Sequence, residues 1–199
     1  SNTTGYNNSA VGMSALLANT TGDNNTAVGV SALSENTTGE MNVALGETSL
    51  KVNTTGDQNT AVGTTSLESN TTGGSNTAVG QGALGANTTA SNNTSIGTDA
   101  GDVITTGEQN VIIGASSDPS ANSGTNQIVI GYGVTGTGNN QIAFGNTDIT
   151  HIKAQVTSIT GYSDIRIKKD IRDTDLGLAF INELRPVKYR LKNPADYPV

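Results

Sequence analysis

A glycine returns every 17 residues along this chain, at Gly12, Gly29, Gly46, Gly63, Gly80, Gly97, Gly114 and Gly131, and then at Gly145 after a step of 14. So long a fixed period marks an array of stacked units rather than an ordinary globular core. Other positions keep the same step. Val11, Val28, Leu45, Val62, Val79, Ile96, Ile113 and Ile130 precede the glycine, and Leu16, Leu33, Leu50, Leu67 and Leu84 follow it. Asn8, Asn25, Asn42, Asn59, Asn76, Asn93 and Asn110 form a third column, and the NTTG asparagines Asn2, Asn19, Asn36, Asn53, Asn70 and Asn87 a fourth.

Helical units are hard to build from this repeat. Each is interrupted by NTTG and a second glycine, and none has the 3.6-residue apolar spacing of an amphipathic helix. Short strands fit better: in NTAVG, Thr26 and Val28 point to one face and Ala27 to the other. The glycine opens backbone conformations closed to other residues, and NTTG supplies a further turn. The expected fold is therefore mainly β, a parallel β-solenoid or β-roll of about nine rungs, with two short strands and two turns per 17-residue coil. At about 4.8 Å per rung it would form a rod of roughly 40 Å. Asparagine stacked on asparagine would form amide ladders along the axis, a structural role that needs no ligand.

Composition bears on whether such a rod stands alone. The chain is 33% apolar and 4% aromatic, with no Trp and no Cys, which leaves no disulfide framework and no thiolate metal site. One Val, one Leu, one Ala and a Thr per coil would supply about 4 to 6 kcal/mol of burial against the ordering entropy of the coil. That balance favours several rods side by side, and the small column Ala10, Ala27, Ala44, Ala61 and Ala78 is expected to allow close approach. The later rungs NVIIG, QIVIG and QIAFG are more apolar and should lock the rod at its C-terminal end.

The NxxAVGxxAL rung resembles the head repeat of trimeric autotransporter adhesins of the YadA type, whose N-S-V-A-I-G pattern steps by 14. The resemblance covers most of residues 1–150 and implies a left-handed parallel β-roll in a homotrimer. The 17-residue step here implies a longer turn beside NTTG.

Residues 146–162 break the period and read as a short extended neck, with Ile149, Ile152 and Val156 as apolar positions. From Ser163 the chemistry changes: two basic residues precede that point, Lys51 and Lys153, and eight follow within 37 positions. Residues 164–171, DIRIKKDI, alternate as a half-buried strand. Asp173 and Asp175 can cap a helix over LGLAFINELR, which Pro186 stops, and VKYRLK alternates again. The expected organisation is a β-roll shaft over 1–145, a connector over 146–162, and a small α+β segment over 163–199.

The S-D-x-R-x-K core beginning at Ser163, with the later L-R-P-x-x-Y segment, resembles the start of the endosialidase-type intramolecular chaperone of phage tail fibres and tailspikes. The resemblance implies a domain that trimerises the chain, helps the β-rich shaft fold in register, and then cuts itself off beside the serine. It implies Ser163 as nucleophile and Lys168 as general base. A serine hydroxyl needs such a base, and Arg166 and Lys169 are cations able to lower a lysine pKa. In a straight strand positions 163 and 168 lie about 17 Å apart on opposite faces, so a turn or a second subunit must bring them together. On pattern alone, Lys168 reads rather as a residue solvating the outer face of the strand; the resemblance reverses that reading.

Other motifs point elsewhere only weakly. NTT matches an N-glycosylation pattern, but the turn reading suffices. The adjacent threonines face opposite ways, against a flat ice-binding array. His151 reads as a solvated or trimer-contact residue rather than a metal ligand, and no cofactor or metal is expected. GYGVTGTG lacks the helix and lysine of a phosphate loop. Two basic residues against 11 acidic before Ser163 argue against nucleic acid. No apolar run reaches the ~20 residues that span a bilayer, so no membrane insertion is expected.

These readings converge on a structural, homotrimeric tail-fibre or tailspike segment, located on an extracellular virion surface and serving host attachment through a cell-surface glycan or protein receptor. Any enzymatic activity would be single-turnover self-cleavage. A bacterial trimeric surface adhesin head and part of a glycan-cleaving tailspike are the alternatives.

Overall fold

The computed structural model describes residues 2–151, which wind into a parallel β-solenoid of about eight turns with no helix in the described residues. Each coil contributes one three-residue strand: β1 (Ser9–Val11), β2 (Thr26–Val28), β3 (Val43–Leu45), β4 (Thr60–Val62), β5 (Thr77–Val79), β6 (Thr94–Ile96), β7 (Val111–Ile113), β8 (Ile128–Ile130) and β9 (Ile142–Phe144). They form one sheet in sequential order, all parallel, with Ala27 over Ala44 over Ala61 over Ala78. The second strand expected in each coil is absent from the described residues. Its place is taken by turns whose inter-rung hydrogen bonds do the same work, such as Leu33 N–H to Ser49 O at 3.0 Å and Thr37 N–H to Thr54 O at 2.9 Å.

Left-handed residues recur in register and make the coil close within 17 residues. Leu33, Leu50 and Leu67 each have φ of 50°, and Asn24, Met41 and Gln58 have φ of 57–59°. A leucine pays a steric cost in that conformation. It is held there because the turn aims its side chain into the coil, where Leu33, Leu50 and Leu67 are fully buried. The repeat glycine answers a different need. Gly63 has φ of +135°, and a Cβ on it would come within 2.4 Å of the Gly80 carbonyl oxygen on the next rung.

The interior is sorted differently from the expectation. The middle strand residues Ala27, Ala44, Ala61 and Ala78 are fully buried, whereas the valines and threonines beside them face outward. A coil only 17 residues round has a narrow lumen. One leucine, small residues and two asparagines fill it, and only alanine fits opposite on the strand. The alanine column is thus the lumen lining and not a surface for close approach between rods.

Both asparagine columns are buried amide ladders. Asn42 donates from Nδ2 to Asn25 Oδ1 at 3.2 Å and to Gly56 O at 2.8 Å, and its backbone N–H reaches the same Asn25 oxygen at 2.9 Å. Each such amide spends both protons and both acceptor positions, which is what makes a buried Asn tolerable. In the NTTG column, Asn36, Asn53 and Asn70 donate to the preceding asparagine oxygen at 2.8–2.9 Å. That ladder stops at Asn87, whose Oδ1 is buried without a partner because Ile104 occupies the next position. Threonine hydroxyls join in: Thr20 Oγ1 donates to Thr37 O at 2.9 Å and Thr37 Oγ1 to Thr54 O at 2.9 Å, while Thr21 and Thr38 are exposed.

Candidate interaction face

Strand alternation sends the first and third residue of every strand to the outside of the coil. The third positions make a continuous stripe, Val11, Val28, Leu45, Val62, Val79, Ile96, Ile113, Ile130 and Phe144, beside a second stripe of Ser, Thr, Val and Ile. Leu45 is 45% exposed, Ile142 57% and Phe144 58%. With nine rungs about 4.8 Å apart and strands about 10 Å long, the face covers roughly 400 Å², with the third-position stripe apolar on every rung and the first-position stripe apolar on β3 and β7–β9.

No charged residue lies on either stripe. The acids sit on the turns, among them Asp23, Glu40 and Asp57, where the Asp23 and Asp57 carboxylates accept backbone N–H groups of the rung before. Residues 2–151 carry 11 acidic side chains against Lys51 alone, which disfavours close approach of two copies through the acidic turns. The sheet face is a surface where two copies can meet without placing carboxylate against carboxylate, as is the polar threonine column of Thr21, Thr38 and Thr55, and of the two the sheet face is the apolar one.

The face ends in a hollow of about 370 Å³ lined by Ile130, Gly131, Phe144, Gly145, Ile149 and His151. Beside it Ile149 N–H bonds Asn146 O at 3.2 Å in a turn that opens the connector, and residues 152–162 of the neck expected over 146–162 lie outside the described residues. His151 is exposed, with Nδ1 2.9 Å from Thr150 Oγ1.

One cluster of titratable groups stands apart from the face. Asp118 follows β7 and lies near Asp102 and Asp99. Burial, then the Asp102 charge, push its carboxyl up to about 6, and Asp102 is raised for the same two kinds of reason, burial first and Asp99 next. The surrounding sequence, ASSDPSA, carried no signal of this pairing.

Ser163 and Lys168, the residues expected to carry self-cleavage, lie outside the described residues, as do Ile152, Val156, Arg166 and Lys169. The outward stripe was missed as an interface because its valines read as core. Its charge-free register was nonetheless visible in the sequence.

Comparison with protein families matches residues 163–197 to the chaperone of endosialidase family, Peptidase S74. The match covers the C-terminal segment alone and begins at Ser163 itself. No curated protein matches the chain. The molecule thus joins two parts: a parallel β-solenoid, and after it a segment similar to the endosialidase chaperone.

Proposed function

We propose that this chain is part of a homotrimeric, phage-type tail fibre or tailspike, in which three solenoids pack through their charge-free sheet faces and present a host-attachment surface on the outside of a virion. The observation that carries this reading is the chaperone-of-endosialidase match placed directly after a solenoid with an unpartnered apolar face. A chaperone of that kind is associated with trimerisation. A rod whose lumen buries, in most coils, only one leucine and small apolar residues beside its two asparagines gains most from burying a second face. The receptor would be a cell-surface glycan or protein, met by the turn surfaces that the trimer leaves outward.

In this reading the C-terminal segment assembles the shaft and then releases it, with Ser163 as the nucleophile and Lys168 as its base. Requiring assembly before the cut would free only fully folded fibres. The test is to produce the chain with its complete natural C-terminus beside Ser163→Ala and Lys168→Ala, and to compare them by denaturing gel and native mass. Wild type should be cut beside residue 163 and run as a trimer, and both variants should stay trimeric and uncut. A wild-type chain that stays whole, or an alanine variant cut equally well, overturns the dyad. A monomeric native mass overturns the trimer.

A further inference from the structure

The sheet face poses a problem that its own regularity creates. β2, β4 and β5 present the same outward pair, Thr and Val, and β6 differs only by Ile for Val. If one copy slides by a rung, about 4.8 Å, Val62 meets Val79, Thr60 meets Thr77, and Ile96 meets Ile113, with almost the contacts of the aligned arrangement. The amide ladders cannot object, since they lie inside each coil. Over most of its length the face therefore attracts other copies without specifying where they stop.

The last rung is different. Phe144 is the one aromatic residue in the stripe, and it stands beside the hollow bounded by Ile130, Ile149 and Gly145. Ring and hollow open on the same face, because Ile130 and Phe144 both belong to the outward stripe. When copies are aligned, every Phe144 faces the others at one height and a neighbour's ring has the hollow to enter. When they are slipped by one rung, the ring stands at the height of Ile130, at the wall of the hollow, and has no Phe144 of the neighbour opposite it.

We infer that the Phe144 rung and its hollow form an axial register lock, in which the hollow of each copy receives the Phe144 ring of a neighbouring copy of this chain. This rests on the trimer reading above and adds to it the site that aligns the copies. Charge supports the choice of occupant. The hollow is almost wholly apolar and the face leading to it is uncharged, so it suits a second copy's face better than any of the acidic turns.

The 199 residues contain no cysteine, so each introduced thiol is the one of its copy in this sequence. Two forms of the full chain, one with Val62→Cys and one with Val79→Cys, are produced together and oxidised, and the disulfides between chains are mapped by mass spectrometry. A disulfide bridges Cα atoms only about 4.4–6.8 Å apart, so a one-rung slip changes which pairs form. With Phe144 present, 62–62 and 79–79 bonds should form and 62–79 bonds should be at background. With Phe144→Val, the 62–79 bond should rise at least tenfold while the native mass remains trimeric. With Leu45→Val, a comparable trimming of an earlier rung, the pattern should not change.

A Phe144→Val trimer that still gives only 62–62 and 79–79 bonds overturns the lock and leaves the trimer standing. Slip released by Leu45→Val and not by Phe144→Val overturns it too, placing the register in the earlier rungs. A trimeric mass with none of these disulfides shows that the face does not point inward and overturns both readings. A monomeric mass overturns the trimer, and the lock with it.

Discussion

The coils before β6 and those from β6 onward solve the same problem with different materials. In the earlier coils the corners of the lumen are amides: Asn36, Asn53 and Asn70 stack at one, Asn42, Asn59 and Asn76 at the other. From β6 onward the first corner changes, with Ile104 in the asparagine position, while the second ladder runs on through Asn93 and Asn110 and ends at Gln127, which turns to Ser120. Ile112 and Val129 take over the alanine column where Gly101 and Asp118 replace the leucines. Amide ladders are directional and unforgiving, because each unit satisfies the next. Aliphatic packing is non-directional and tolerates one changed neighbour. The difference teaches that one corner of the lumen can change from hydrogen bonding to apolar burial while the other keeps its ladder, and that faults collect where the change occurs. Both Asn87 Oδ1 and Ser95 Oγ, at that junction, are buried without partners.

Four substitutions probe that contrast. Asn59→Ala should be the most damaging, since it strands the Asn76 backbone N–H and one Asn76 Nδ2 proton and takes one of two donors each from the Gly73 carbonyl and Asn42 Oδ1. At about 1–3 kcal/mol for each orphaned buried group, a loss of about 4 kcal/mol per subunit is expected in urea unfolding. Ile112→Ala, in the aliphatic half, should cost about 3 kcal/mol and leave the spectroscopic signature of the earlier coils intact. If the two variants prove equally costly and equally widespread in hydrogen-exchange protection, the distinction between the halves fails.

The third probe is pH. Asp118 titrates at about 6 in the folded chain against an ordinary 3.8, so folding favours its protonated form. The stability from that preference is complete below pH 4 and is lost as pH rises through 6. Thermal melts should therefore fall between pH 4 and pH 7, and Asp118→Asn should flatten the slope and raise the melting temperature at pH 7. A melt equally pH-dependent in the variant would assign the effect to other carboxylates. The smallest effect belongs to Ser95→Ala. It removes a buried hydroxyl with no partner from a column that is alanine at Ala27, Ala44, Ala61 and Ala78, and should stabilise by about 1 kcal/mol.

The period, the parallel stacking and the ladders could be read from the sequence because each repeats in register, and a repeat is a statement about neighbours in space. The facing of the strand could not. Thr26-Ala27-Val28 alternates equally well either way round, and hydrophobicity would turn the valine inward. The narrow lumen decides against it, and lumen width follows from where the turns fall. Those turns depend on Leu33 and its equivalents at positive φ, a conformation no leucine advertises. The same inversion hid the interaction face, whose valines look like core until alanine is seen to occupy it. Ser163 and Lys168 came from a motif, not from periodicity, and the family match beginning at Ser163 supports the segment without testing the pair.

The hydrogen bonds between rungs run along the rod, which gives the solenoid a mechanical character. Tension applied at its ends loads the rungs in series, so the weakest opens first and the others stay closed. Each 17-residue coil that opens releases about 58 Å of extended chain in place of about 4.8 Å of rod. A single shaft pulled end to end would therefore lengthen in near-equal steps. The amide ladders act as a second row of bonds, raising the force each step requires in the earlier coils above that of a sheet of three-residue strands alone.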